Sequence, residues 1–68
     1  MEWVMTIHER IENLVMRRPL LTEAEIANDL FGSSGYQQRV NADCRWLARQ
    51  GRITRVGNGG PVDPFRYQ

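Results

Sequence analysis

The run Gly57-Asn58-Gly59-Gly60-Pro61 is the strongest constraint on this chain. Glycine and proline packed this densely mark a turn that neither a helix nor a regular strand can cross. The residues on either side alternate. Arg52 to Val56 reads as one strand and Pro64 to Gln68 as its return, with Phe65 and Tyr67 on one face. Proline is tolerated where Asp63-Pro64 opens that returning strand. The C-terminal end is therefore expected to be a β-hairpin whose core side holds Ile53, Val56, Phe65 and Tyr67.

Everything before Gly51 follows helical spacing. Val4, Ile7, Ile11, Leu14 and Val15 form one apolar stripe, which predicts a first helix over about 2–17. Pro19 stops it, because the residue before a proline avoids the α region. Leu20-Leu21 is a short extended link, with room for a short extra strand. Thr22-Glu23-Ala24-Glu25 is a capping box and opens a second helix over about 22–31. Gly32 closes that helix. Ser33-Ser34-Gly35 supplies a serine cap for a third helix over about 35–50. At 100° per residue Tyr36, Val40, Cys44 and Leu47 share its core side. The expected order is α1-α2-α3-β-β, a single small α+β domain spanning 1–68.

With 68 residues, one modest core is the limit. No apolar run approaches the ~18 residues of a membrane span. Met1 to Met5 lack the basic and apolar regions of a signal peptide, which predicts a cytoplasmic protein. Cys44 is the sole cysteine. No disulfide or multi-thiolate metal site can form within the chain, and the thiol is expected to be buried.

Charge is divided along the chain. Residues 1–35 carry three arginines against six acids, net −3, and residues 36–68 carry six arginines against two acids, net +4. A basic back half implies an anion-seeking surface. All nine basic residues are arginine, whose planar fork fits phosphates and guanine edges. Codon bias toward arginine would give the same composition.

The run Cys44-Arg45-Trp46-Leu47-Ala48-Arg49-Gln50-Gly51-Arg52-Ile53 resembles winged-helix transcription regulators. In that family an apolar pair spaced by three precedes a glycine, and a β-branched residue two positions later starts the wing. Leu21-Thr22-Glu23-Ala24-Glu25-Ile26-Ala27 is similar to the family's second-helix opening. The resemblance covers about residues 7–68. It implies a three-helix winged helix-turn-helix with a C-terminal two-stranded wing, and a module that binds double-stranded DNA. The third helix would then read the major groove, and the wing would touch the backbone or the minor groove.

The outward side of the third helix suits that role. Gln38, Ala42, Arg45 and Arg49 lie opposite the core stripe, with Asn41 on one flank and Arg39 and Trp46 on the other. Gln and Asn pair with adenine, and Arg with guanine. Gln38, Asn41 and Arg45 are the expected base readers. Arg39, Arg49, Arg55 and Arg66 are the expected phosphate contacts, with Arg55 and Arg66 flanking the hairpin tip beside Asn58. Ser33, Ser34 and Gln37, at the start of the helix, favour a further phosphate. An ordinary solvated helix face is the competing reading of the same positions.

Enzymatic chemistry finds no support. His8 is the only histidine, expected on the surface of the first helix with no nucleophile beside it. Gly57-Asn58-Gly59-Gly60 lacks the Lys-Ser and helix of a phosphate loop. No metal site or cofactor is expected. The alternative function is a winged helix that docks a protein or forms a homodimer, using exposed Trp3, Met16 and Trp46.

Overall fold

The computed structural model describes residues 6–68, and at Ser34 the backbone only. The elements are α1 (Ile7–Arg17), β1 (Leu21–Thr22), α2 (Glu23–Phe31), a 3-10 turn (Ser34–Tyr36), α3 (Gln37–Arg49), β2 (Arg55–Val56) and β3 (Arg66–Tyr67). The result is a small α+β fold. Three helices pack on one antiparallel sheet of order β1-β3-β2.

A capping box starts α1. Glu9 N donates to Thr6 Oγ1 at 3.2 Å, and Thr6 N donates to Glu9 Oε1 at 3.3 Å. The part of the first helix expected before Thr6, including Val4 and Trp3, lies outside the described residues. Ile11, Leu14 and Val15 are buried, and Ile7 packs against them. The same device starts α2. Thr22 Oγ1 accepts from Glu25 N at 3.2 Å, and Glu25 Oε1 accepts from Thr22 N at 2.8 Å. The backbone and hydroxyl of Thr22, followed by nearby Arg66 and Arg18, hold the Glu25 carboxyl below its usual range. Gly32 ends α2 in the left-handed region at φ +72°, where a side chain would be strained.

Between α1 and β1 the chain reverses at Leu20, a non-glycine residue at φ +70°. That conformation costs about 1–2 kcal/mol. Two bonds to β3 hold it there. Leu20 N donates to Tyr67 O at 2.6 Å, and Leu20 O accepts from Arg66 Nη1 at 3.1 Å. The extra strand then forms at Leu21–Thr22 and pairs with β3, Leu21 opposite Tyr67 and Thr22 opposite Arg66.

The hairpin ladder is shorter than its sequence pattern. β2 pairs with β3 as Arg55 opposite Tyr67 and Val56 opposite Arg66. Reciprocal bonds between Thr54 and Gln68 extend it by one pair. Arg52 and Ile53 belong instead to the exit from α3, where Gly51 adopts φ +75° and Arg52 N bonds back to Leu47 O at 3.0 Å. Ile53 is buried but Val56 is 40% exposed. They lie three positions apart, so a period of two cannot place both on the core side.

Two expectations at the start of α3 are corrected. Its capping residue is Tyr36, and no side chain caps it. Ser33 Oγ accepts from Gly35 N at 3.0 Å inside the preceding turn. Tyr36 is 52% exposed rather than part of the core, with its ring 4.8 Å from that of Phe31. The 3-10 turn, at three residues per turn, rotates Tyr36 off the stripe that Val40, Cys44 and Leu47 continue.

Those three side chains complete the core with Ile26, Ala27, Leu21, Ile53 and Tyr67. Burial, with Glu23 and Asp43 nearby, pushes the Cys44 thiol up to about 12, so a reactive thiolate does not form at neutral pH. Tyr67 is the largest fully buried side chain among the described residues. Its hydroxyl donates to Glu23 Oε2 at 2.6 Å, and burial together with this bond raises its pKa.

Candidate nucleic-acid interface

Burial of Val40, Cys44 and Leu47 fixes which side of α3 meets solvent. Gln38, Arg39, Ala42, Arg45 and Arg49 are exposed away from that stripe, and Gln37, in line with Cys44, is exposed because it opens the helix. The one acid on this helix, Asp43, is drawn toward α1. Its Oδ1 lies 3.1 Å from His8 Nε2, while Oδ2 is 3.9 Å from Arg39 Nε. The His8 ring stacks on Trp46 at 4.5 Å with an interplanar angle of 12°. His8 is thus half-buried in a contact between α1 and α3, not a free surface residue.

Downstream, the helix exit brings β2 alongside α3. Arg45, Arg49 and Arg55 line one open groove of about 490 Å³, with Ala48, Gly51, Ile53 and Thr54 as its remaining walls. Arg55 lies directly across the ladder from Tyr67, and its guanidinium carbon sits 4.1 Å over the Phe65 ring. Among the described residues, no acid pairs with any of these three arginines.

Other arginines are engaged inside the fold. Arg52 makes a bidentate pair with Glu12 at 2.8 and 3.3 Å. Arg18 meets Asp29 at 3.3 Å. Arg66 meets Glu25 at 3.5 Å besides its bond to Leu20 O. The acidic front half therefore neutralises part of the basic back half. Three arginines without an ion pair among the described residues gather in the α3–β2 groove, where a concave wall focuses the field on an incoming anion.

Four sequence-derived site residues change role. Arg66 does not flank the hairpin tip with Arg55: it lies on the central strand β3, and its guanidinium is drawn to Leu20 O and Glu25 beside β1. Asn41 is turned inward. With its amide oriented so that the nitrogen meets the neighbouring acceptors, Asn41 donates to Glu23 Oε1 and to Gln37 O, both at 2.8 Å, an assignment made from the hydrogen-bond network that ties α3 to α2. Ser33 is occupied in the local turn, and the Ser34 side chain lies outside the described residues. Asn58 is exposed, but its backbone N donates to Asp63 Oδ2 at 3.2 Å. Gly59 N donates to Asp63 O at 2.9 Å, and Asp63 N to Gly60 O at 3.2 Å. The hairpin tip is thus closed around a carboxylate and carries no cation. Gln37, Gln38, Arg39, Arg45, Arg49 and Arg55 stay exposed, and Arg45, Arg49 and Arg55 share one groove.

Phe65 beneath Arg55 was not anticipated. Period-two alternation places Phe65 on the Tyr67 side, and that side faces Arg55 once the register is known. Sequence spacing alone gives no register, so the stack was hidden.

The arrangement suits phosphate and base-edge binding. An arginine fork can take phosphate oxygens or guanine, and a glutamine amide can take adenine. Among the described residues no helix is long and apolar enough to cross a membrane, and no group of three or more His, Cys, Asp or Glu could hold a metal ion. No protein-family model matches the chain, and comparison with curated proteins and with solved structures finds no match.

Proposed function

We propose that this chain is a winged-helix domain that binds double-stranded DNA. The groove arginines carry the reading: Arg45, Arg49 and Arg55 converge from α3 and β2 with no acidic partner among the described residues. The element order and the β1-β3-β2 sheet agree with a winged helix, in which α3 is the recognition helix and β2-β3 the wing. At 1.5 Å per residue α3 is about 20 Å long, enough to lie along a major groove.

Gln38, Ala42 and Arg45 face the base edges in this arrangement. Arg39, Arg49 and Arg55 take backbone phosphates on either side. The first turn of α3, uncapped by any side chain, suits a further phosphate. The wing contributes from its base, at Arg55. Its tip, which carries Asp63, stands away from the phosphates, because like charges repel.

Three phosphate contacts imply a slope of log affinity against log salt of about −3. Anisotropy titration of a labelled duplex should therefore lose roughly fortyfold in affinity between ~50 and ~200 mM salt. Binding indifferent to salt would point to an apolar protein partner. Absence of binding at ~50 mM would remove the DNA reading.

A further inference from the structure

We infer that Phe65 is a positioning residue for Arg55, holding its guanidinium over the α3–β2 groove in the orientation that a DNA phosphate needs; the inference rests on the DNA-binding reading above. Arg55 Cζ lies over the Phe65 ring, 4.1 Å from its centroid. The ring is itself fixed from two further sides. It packs against the core cluster, and the backbone of the wing loop lies so close that a Cβ on Gly59 would overlap it. Gly59 is at φ +86°, so both its conformation and this approach exclude a larger residue.

The geometry divides the guanidinium between two tasks. Cation–π attraction uses its planar face. The N–H donors lie in the plane and point outward from its edge. Stacking therefore leaves the donors available, and no acid among the described residues takes them. A free arginine must lose rotamer freedom when it grips a phosphate. Arg55 has lost much of it before the ligand arrives, and such preorganisation strengthens binding. The stack also keeps Arg55 on the side of the ladder that faces Arg45 and Arg49.

A double-mutant cycle on duplex binding at ~50 mM salt tests this. Arg55→Ala should cost about tenfold in affinity and reduce the salt slope by about one. Phe65→Leu should cost about fivefold in the Arg55 background and nothing in the Arg55→Ala background. Phe65→Tyr, which keeps the ring, should bind as the parent does. Equal losses from Phe65→Leu in both backgrounds would make Phe65 merely structural and overturn the inference. If Phe65→Leu fails to fold, Arg55→Lys decides, since it keeps the charge without the planar face. It should fall to within twofold of Arg55→Ala, and parent-like binding by it would overturn the inference. A parent protein that binds no duplex overturns the DNA reading itself, and this inference with it.

Discussion

Arg45→Ala, Arg49→Ala and Arg55→Ala combined in one chain should lower duplex affinity by at least a hundredfold, while the Tm moves by only a few degrees. Each contact to a base edge or phosphate is worth about 1–3 kcal/mol. Even the low end, about 3 kcal/mol in total, is a hundredfold in affinity at 1.4 kcal/mol per tenfold. The fold has little to lose, because none of the three pairs with an acid among the described residues. The Arg55 stack on Phe65 is the one internal contact removed, worth about 0.5–1 kcal/mol at an exposed site.

A charge-matched control sharpens the point. Arg18, Arg52 and Arg66 carry the same total charge but are held by Asp29, Glu12 and Glu25. Their triple alanine variant should lose stability and keep most of its DNA affinity. Anisotropy and thermal melts on both triples give the comparison. Equal loss of affinity in the two would reduce the site to net charge alone.

The second large effect concerns stability. Tyr67→Phe removes one oxygen and leaves Glu23 Oε2 without its 2.6 Å donor. A half-buried carboxylate stripped of such a partner costs about 1–3 kcal/mol. For a domain of this size each kcal/mol moves the Tm by about 4–8 °C, so a drop of about 10 °C is expected. Adding Glu23→Gln should recover part of it, because the neutral amide tolerates burial better. Tyr67→Ala goes further. It empties the largest buried site, at about 3–5 kcal/mol, comparable to the whole stability of a core this small. Circular dichroism melts measure all three, and a Tyr67→Phe variant that melts within two degrees of the parent would contradict the account.

These two sites show where the sequence was informative. Local periodicity located the helices, since Ile11, Leu14, Val15, Val40, Cys44 and Leu47 repeat within a few residues of one another. The Thr22–Glu25 box and the Gly32 stop were equally local. Thr6-Ile7-His8-Glu9 has the same box pattern. The apolar stripe runs back to Val4 and masks that cap. Contacts between distant segments were not legible. Leu21 pairs with Tyr67 across 46 positions, and nothing in either strand names its partner.

The site followed the same division. A helical wheel gives the direction in which Asn41 leaves α3, but not that Glu23 of α2 waits there. Alternation gives the side of the strand on which Arg66 lies, but not that Leu20 and Glu25 hold it. Gln38, Ala42, Arg45 and Arg49 face outward as helical spacing alone gives, since the buried Val40, Cys44 and Leu47 set the opposite side. The −3 and +4 halves were a coarser signal. Pairing of Glu12 with Arg52 and Glu25 with Arg66 across the halves takes two arginines out of the basic back half.

The central claim is that the exposed side of α3 and its groove with β2 meet duplex DNA. Backbone amide shifts of the labelled protein, titrated with duplex at ~50 mM salt, test it most directly. The largest shifts are expected at Gln37, Gln38, Ala42, Arg45 and Arg49 and at Thr54 and Arg55, with small changes at Asn58 to Val62 and at Met16 and Leu20. No shifts at that salt, or shifts centred on Met16 and Leu20 or on the wing tip, would contradict it.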